Sequence, residues 1–195
     1  MNRQQQKENT RRKLLSTALE VFSKKGIMST RMADIAEASG VSHGTVFLHF
    51  ETQDALTSAV IEDFGFRMAS RTHELARGSG SLREILSAHL KGIRENEGFY
   101  TRLVLESAHL PPAARNALTG IQTAISFHIS QAAEREMAAG SIKHMPEALL
   151  FNTWVGLIHY YLVNTGQFAP GGSVIESCGA MLLDHYLSLI SISDH

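Results

Sequence analysis

Four consecutive residues, Ser42, His43, Gly44 and Thr45, are of types that make hydrogen bonds to an anion or to the edge of a nucleobase. Hydroxyl and imidazole groups both donate and accept hydrogen bonds, and Gly44 lets another molecule approach the backbone closely. Ser42 also fits the N-cap of a helix, whose first free N–H groups attract phosphate. These residues predict the start of a helix that binds phosphate and contacts bases.

The surrounding segment, residues 31–50, has the pattern of a helix-turn-helix. A first helix would follow Thr30 as N-cap, and Gly40 suits the left-handed backbone of a tight turn. The second helix would follow Ser42, and in such motifs its first residues contact base edges in the major groove. The residues predicted to pack the motif are Met32, Ile35, Ala36, Val46 and Phe50.

The charge of the chain is divided unevenly along its length. Residues 1–50 contain eight Lys and Arg against four Asp and Glu, a net charge of +4. The remaining residues contain ten against fifteen, a net charge of -5. A basic first quarter on an acidic body predicts an anionic partner for the N-terminal segment.

Length and composition exclude several classes of protein. With 195 residues, 44% hydrophobic and 19% charged, the chain is expected to be globular. Its single Cys178 excludes an intramolecular disulfide and a multi-cysteine metal site, and it fits a reducing cytoplasm. No catalytic motif, signal peptide or metal-ligand spacing is recognisable, and the apolar run 148–163 is shorter than the ~20 residues of a membrane span. We therefore expect a cytoplasmic protein that is not an enzyme and has no cofactor, metal or membrane partner. The alternative for its ten histidines, which form no metal-ligand spacing in sequence, is a metal site assembled in space.

Helical periodicity extends over nearly the whole chain and predicts an all-α fold of about nine helices. Residues 1–8 are interpreted as a flexible arm of an N-terminal domain, 1–52. Residues 53–195 are interpreted as a second, helical domain. A helix after Ser81 is indicated by the capping box that Ser81 forms with Glu84.

The stretch 12–65 resembles the N-terminal domain of TetR/AcrR-type transcriptional regulators. The resemblance implies a homodimer that binds a palindromic double-stranded DNA operator and is released by a small-molecule effector. It is carried by Leu15, Ala18, Phe22, Gly26, Thr30, Ile35-Ala36, Gly40-Val41-Ser42, Gly44-Thr45, Phe47, His49-Phe50 and Leu56.

The resemblance also implies individual DNA contacts. His43, Gly44 and Thr45 would lie against bases, whereas Arg31, Ser42, Phe47 and His49 would flank the phosphates. Two positions depart from the family pattern, because Phe47 replaces a common Tyr and Gln53 a usual Lys. Arg12, with Arg3, Lys7 and Arg11, is expected to compensate for the lost phosphate contacts. As alternatives, His49 is only a helix C-terminal cation, and Lys24 and Lys25 form a solvated helix end.

The same resemblance implies that residues 53–195 are an effector-binding and dimerisation domain, with an effector cavity in the middle helices. Glu106 and His109 share a helix face and are candidates for distinguishing cationic from neutral compounds. The alternative for each candidate is an ordinary core position. The candidates are Phe66, Leu86, Phe99, Tyr100, Leu103, Glu106, His109, Phe127, His128, Trp154 and His159.

The last two long helices are candidates for a dimer interface. The run 148–163 is apolar around most of its circumference, which predicts a helix buried on most faces. The alternative is that the two helices bury only each other. The interface candidates are Phe151, Val155, Ile158, Leu162, Cys178, Met181, Leu182, His185, Tyr186 and Leu189.

The function predicted from the sequence is a ligand-responsive, homodimeric repressor. One alternative is a helical small-molecule-binding protein or enzyme with a structural helix-turn-helix. A second alternative is a constitutive, architectural DNA-binding protein.

Overall fold

The computed structural model describes residues 2–77 and 80–192. This part of the chain is helical, with one isolated bridge between Ile142 and Ser191 and no strand. Within these ranges no helix is both long enough and apolar enough to cross a membrane. The ten α-helices and one short 3₁₀ turn are α1 (Arg3–Lys25), α2 (Met32–Ser39), α3 (His43–His49), α4 (Gln53–Arg77), α5 (Leu82–Glu95), α6 (Glu97–Glu106), the 3₁₀ turn (Ser107–His109), α7 (Pro112–Ala138), α8 (Glu147–Val163), α9 (Thr165–Phe168) and α10 (Val174–Ile190).

The helices form two compact units. The first comprises Met1–Phe66 and Gly98–Gly120, and the second comprises Arg67–Glu97 and Ile121–His195. This division differs from the predicted boundary after residue 52, because α6 packs with the N-terminal helices. The ring of Phe99 lies 5.1 Å from that of Phe64 in an edge-to-face contact. The domain functions assigned to 1–52 and 53–195 remain predictions.

The first helix begins earlier than the sequence predicts. Residues 3–8 belong to α1 and are not a flexible arm. The Asn2 side chain accepts a hydrogen bond from the backbone N–H of Gln4, and the Gln5 amide donates to Asn9 one turn later. These local bonds extend the helix through a polar segment whose lack of apolar periodicity predicts a loop.

The turn between α1 and α2 contains a helix cap that differs from the sequence prediction. Gly26 ends α1 with a φ of 97°, and its N–H donates to the Phe22 carbonyl. Thr30, predicted as the N-cap of α2, is buried, and its hydroxyl donates to the Gly26 carbonyl. The N-cap is Arg31, whose backbone N–H donates to the Asp34 carboxylate.

The second unit is built on α5, α7, α8 and α10. The capping box of Ser81 and Glu84 is confirmed at the start of α5. Glu97 caps α10, because its carboxylate accepts hydrogen bonds from the Ser173 hydroxyl and from the N–H groups of Val174 and Ile175. The Tyr186 hydroxyl of α10 donates to the Leu150 carbonyl of α8.

Helix α8 is not buried on most faces within its own chain. It buries one stripe with a spacing of four residues, formed by Leu150, Trp154, Ile158 and Leu162. Leu149, Tyr160 and Val163 are exposed on other faces. Asn164 ends α8 and precedes the short α9.

Candidate nucleic-acid interface

The turn between α2 and α3 has the geometry that the sequence predicts. Gly40 has a φ of 66° and a ψ of 34°, a left-handed conformation that glycine adopts without steric cost. Val46 and Phe50 of the second helix are buried, as is Ile35 of the first. The backbone and the core therefore hold α3 in a defined orientation within the first unit.

Ser42 caps α3 and is hydrogen-bonded to Thr45. The Ser42 hydroxyl oxygen accepts a hydrogen bond from the Thr45 N–H at 3.2 Å, and the two hydroxyl oxygens lie 2.8 Å apart. The predicted N-cap is therefore confirmed. The contact also orients the Thr45 side chain, so its hydroxyl has a fixed position at the start of the helix.

An exposed surface of α3 carries most of the predicted base-contacting residues. Ser42, His43 and Gly44 are exposed, and Thr45 is half-buried. The ring of His43 contacts that of Phe47 edge to face, with 4.8 Å between the ring centres. Phe47 is 42% exposed, so its ring is partly accessible to solvent.

A groove of about 660 Å³ lies between the N-terminal turns of α1 and helix α3. Arg3 and Lys7 line one wall, and Thr45 and His49 line the other. The Arg11 guanidinium, one turn after Lys7, lies 4.6 Å above the centre of the Phe50 ring, a cation–π contact. The groove therefore combines cations from α1 with hydrogen-bonding groups from α3.

His49 is not a simple helix C-terminal cation. Burial lowers the pKa of His49 below its ordinary value of 6.5, and the positive charges of Lys7 and Arg11 lower it further. The imidazole is therefore mostly neutral at pH 7. A neutral imidazole has one donor and one acceptor nitrogen, so His49 retains both kinds of hydrogen bond beside the groove.

The remaining predicted phosphate contacts differ in their surroundings. Arg31 is exposed, and Arg12 is exposed with its guanidinium 2.6 Å from the Asn9 amide oxygen. Gln53, where the family usually has Lys, instead donates its side-chain N–H to the Thr30 carbonyl at 3.0 Å. Gln53 thus anchors the start of α4 to the turn before α2.

Lys25 has a partner within the first unit. Its ammonium lies 2.7 Å from the Asp34 carboxylate, and this hydrogen bond, with that from the Arg31 backbone, lowers the pKa of Asp34. The pair joins the end of α1 to α2. This contact favours the interpretation of Lys25 as a helix-end residue.

Two features of the interface are not predicted from the sequence, an exposed apolar residue on α3 and a basic stripe on α1. Leu48 is exposed on α3 although it is apolar, and the spacing of three residues from Thr45 to Leu48 would have placed both on one helix face. Arg3, Lys7 and Arg11 recur every four residues and form a basic stripe along α1. The stripe requires these residues to be helical, so it is not expected when residues 1–8 are interpreted as a flexible arm.

The candidate effector residues of the first unit have diverse surroundings. Phe99, Tyr100 and Leu103 are buried, and burial raises the pKa of the Tyr100 hydroxyl. Phe66 is 74% exposed, and so does not line an enclosed cavity within its unit. His109 is also exposed, whereas the Glu106 carboxylate accepts a hydrogen bond from the Met28 N–H at 2.7 Å. Glu106 therefore has a structural partner in addition to its predicted role.

The candidates of the second unit include a buried polar pair. The Trp154 indole N–H donates to Nδ1 of His89, with 3.1 Å between the nitrogens, and both side chains are buried. Burial, and then the nearby charge of His159, lower the pKa of His89 to about 4. His159 also has its pKa lowered to about 4 by burial. Leu86 is fully buried in the same unit, and Phe127 is 58% exposed.

The interface candidates on α8 and α10 separate into two groups. Ile158, Leu162, Leu182 and Tyr186 are buried within their own chain, so these four are core residues and not surface residues. Phe151, Val155 and Cys178 are half-buried, and His185 is exposed. The candidates Met181 and Leu189 are exposed as well. Four further exposed apolar residues lie on the same two helices or just beyond them, namely Leu149, Tyr160, Val163 and Ile192.

Comparison with known proteins agrees with the geometry of the N-terminal helices. Residues 14–60 match the family model of bacterial regulatory proteins of the tetR family. An HTH-type transcriptional repressor of Mycobacterium tuberculosis is 38% identical over 63 residues, which span 32% of this chain and 34% of that protein. The HTH-type transcriptional regulator RutR of Escherichia coli is 26% identical over 175 residues, which span 88% of this chain and 79% of that protein.

A solved structure extends the similarity to the whole fold. The transcriptional regulator FadR of Bacillus subtilis, crystallised in complex with stearoyl-CoA, superposes with a TM-score of 0.76 at 17% identity. The superposition covers 91% of this chain and 98% of that one. Residues 14–60 are therefore similar to the N-terminal domain of the tetR family of bacterial regulatory proteins, and the chain has the fold of the solved FadR structure.

Proposed function

We propose that the chain is a homodimeric transcriptional repressor that binds a palindromic operator and releases it when a small molecule binds. The observation that carries the proposal is the exposed start of α3, where Ser42, His43, Gly44 and Thr45 lie beside the basic stripe of α1. The structure provides hydrogen-bonding groups on a short helix together with cations on one side of it.

The two parts of this surface would have different tasks on DNA. His43, Gly44 and Thr45 would enter the major groove, because the first residues of a recognition helix contact base edges there. Arg3, Lys7 and Arg12 would neutralise phosphates, which adds affinity that depends on salt but not on sequence. Ser42, Arg31, Phe47 and His49 would flank the backbone, which fixes the register of α3 on the duplex.

A two-fold dimer would present two such helices to the two halves of a palindrome. The exposed apolar residues of α8 and α10, among them Leu149, Tyr160 and Leu189, support this part of the proposal. In a monomer they would leave apolar side chains in water. Burial of the same surface against a second copy would remove this area from solvent.

The effector remains a proposal based on the fold and on the buried residues of the helical body. The neighbour FadR was crystallised with stearoyl-CoA, and we propose that this chain also takes an apolar ligand with a few polar groups. Trp154, His128 and Phe127 are the candidates from its second unit, and Phe99, Tyr100 and Leu103 from its first. The relatives are transcriptional regulators, and we propose no catalytic role for this chain.

The test is selection of random duplex DNA on the purified full-length chain, followed by fluorescence anisotropy of the enriched sequence and of a scrambled one. We expect a palindromic sequence that binds at least a hundredfold more tightly than the scrambled duplex, with affinity that falls steeply as salt rises. Equal, weak binding of both duplexes would overturn the proposal.

A further inference from the structure

His128 has an unpaired ring nitrogen inside the second unit. The side chain lies on α7 and is 9% exposed, and its Nδ1 has no hydrogen-bond partner among the described residues. No other buried nitrogen or oxygen among the side chains that the structure describes is left unpaired in this way. Buried polar groups in proteins are almost always paired, so this nitrogen is expected to have a partner that the described side chains do not supply.

A second imidazole faces His128 from another helix of the same unit. His73 of α4 is exposed, and its ring centre lies 5.3 Å from that of His128, with 54° between the ring planes. The two residues are far apart in sequence, so the packing of α4 and α7 brings them together. One imidazole is therefore open to solvent and the other is buried beside it.

The separation of the rings matches the geometry of a shared metal ion. A transition metal lies about 2.1 Å from a coordinating histidine nitrogen, hence roughly 3.2 Å from the ring centre along the lone pair. Two rings on one tetrahedral ion then have centres roughly 5.2 Å apart. The observed 5.3 Å agrees with this value, so the distance between the rings is compatible with one shared ion.

We propose that His73 and His128 form a binding site for a divalent transition metal ion, with Nδ1 of His128 as one of the ligands. Imidazole suits Zn²⁺, Co²⁺, Ni²⁺ and Cu²⁺, whereas Mg²⁺ and Ca²⁺ prefer oxygen ligands. The described residues supply no third His, Cys, Asp or Glu to such a site, so water or a small ligand completes the coordination. The proposal does not depend on DNA binding.

The test is calorimetric titration of the full-length chain, freed of any purification tag, with Zn²⁺. We expect one saturable site per chain, with an affinity at least tenfold lower in His73→Ala and in His128→Phe. His109→Ala, which removes an exposed histidine of the first unit, is the matched control and should bind within twofold of the unaltered chain. Visible absorption of Co²⁺ should report nitrogen coordination in the unaltered chain and in the control, and lose that signature in both variants.

His73→Ala keeps the test decisive if His128→Phe disturbs the fold, because the His73 side chain is exposed and its removal leaves the core intact. Circular dichroism without metal checks this point. Zn²⁺ binding by His73→Ala within twofold of the unaltered chain would overturn the proposal, as would the absence of a saturable site. An equal loss in His109→Ala would show binding to scattered surface histidines and would overturn it as well.

Discussion

The carboxylate of Glu106 accepts a hydrogen bond from the backbone N–H of Met28, with 2.7 Å between Oε2 and the nitrogen. The bond joins α6 to the turn between α1 and α2, within the first unit. Gly26 lies in the same turn, and a Cβ at that position would be 2.9 Å from Oε1 of Glu106. A single side chain from α6 therefore anchors the turn that leads into the helix-turn-helix.

Replacement of Glu106 by Ala should destabilise the first unit. The change removes a charged acceptor from the Met28 N–H, and a hydrogen bond to a charged group contributes about 1.5–3 kcal/mol when it is shielded from water. Because Glu106 is half-buried, we expect a loss of about 1 kcal/mol in the free energy of unfolding, measured in urea. Glu20→Ala removes an exposed carboxylate of α1 and is the control. An equal effect of the two substitutions would refute the anchoring role.

Two glycines should respond to the same substitution to different extents. Gly40→Ala places a side chain on a left-handed helical backbone, at a cost of about 1–2 kcal/mol. Gly26→Ala places one on a backbone with a φ of 97° and a ψ of 151°, a region that residues other than glycine rarely adopt, at a cost of about 1–3 kcal/mol. At Gly40 no atom lies within 4 Å of the new Cβ, whereas at Gly26 Glu106 is in the way. The midpoint of urea unfolding should therefore fall further for Gly26→Ala. A larger fall for Gly40→Ala would contradict the close contact of Glu106 with Gly26.

The helix-turn-helix is predictable from sequence because its determinants are local. Gly40 takes the predicted left-handed conformation, and Ser42 caps α3 through the Thr45 N–H, three residues away. The contact of Glu106 with Met28 is not predictable in this way, since no local pattern pairs a carboxylate with a backbone N–H 78 residues away. The family resemblance suggests a ligand role for Glu106 and gives no indication of this bond.

Burial in the helical body is also only partly predictable. The spacing of Leu150, Trp154, Ile158 and Leu162 fixes that they share a face of α8, and the structure buries all four. The neighbouring helices decide which face of α8 packs against the core of its own chain. From the sequence alone, Ile158 could therefore lie either in that core or in an interface with a second copy. The structure assigns it to the core.

Acid should destabilise the second unit through His89. Burial lowers its folded pKa to about 4, compared with 6.5 for an exposed imidazole, so the folded state keeps His89 neutral while the unfolded state binds a proton. The stabilisation is complete above pH 6.5 and is lost as the pH falls from 6.5 towards 4. We expect a loss of about 2 kcal/mol between pH 7.5 and pH 5, with His159 acting in the same direction.

The variant His89→Gln separates this contribution from that of the carboxylates. Gln does not titrate, so the fall in the free energy of unfolding from pH 7.5 to pH 5 should become smaller by up to about 2 kcal/mol. The free energies of unfolding of His89→Gln and of the unaltered chain at pH 7.5 are compared separately, because the substitution also alters the hydrogen bond that the Trp154 indole donates. An unchanged pH dependence would show that His89 is not the titrating group.

Leu189→Glu should weaken self-association of the chain. Leu189 is 50% exposed on α10, and burial of a carboxylate in an apolar interface is strongly unfavourable. Leu105→Glu on α6 is the matched control, because Leu105 is also 50% exposed. Sedimentation velocity should show a dimer for the control and a monomer for Leu189→Glu. Dimers of equal strength in both variants would place the interface elsewhere.

Thr45→Ala and Arg12→Ala should affect DNA binding in different ways, because of these two residues only Thr45 is proposed to contact bases. Thr45→Ala should reduce the ratio of affinities for the selected palindrome and a scrambled duplex by about tenfold, since a lost base contact costs about 1–3 kcal/mol of discrimination. Thr45→Ser keeps the hydroxyl that lies 2.8 Å from that of Ser42 and should retain most of the ratio.

Arg12→Ala should weaken binding of both duplexes alike. Loss of one phosphate contact reduces the slope of log affinity against log salt by about 1, and leaves the ratio between sequences unchanged. Fluorescence anisotropy at several salt concentrations measures both quantities on the same samples. If Arg12→Ala altered the ratio more than Thr45→Ala did, α3 would not be the helix that reads the bases.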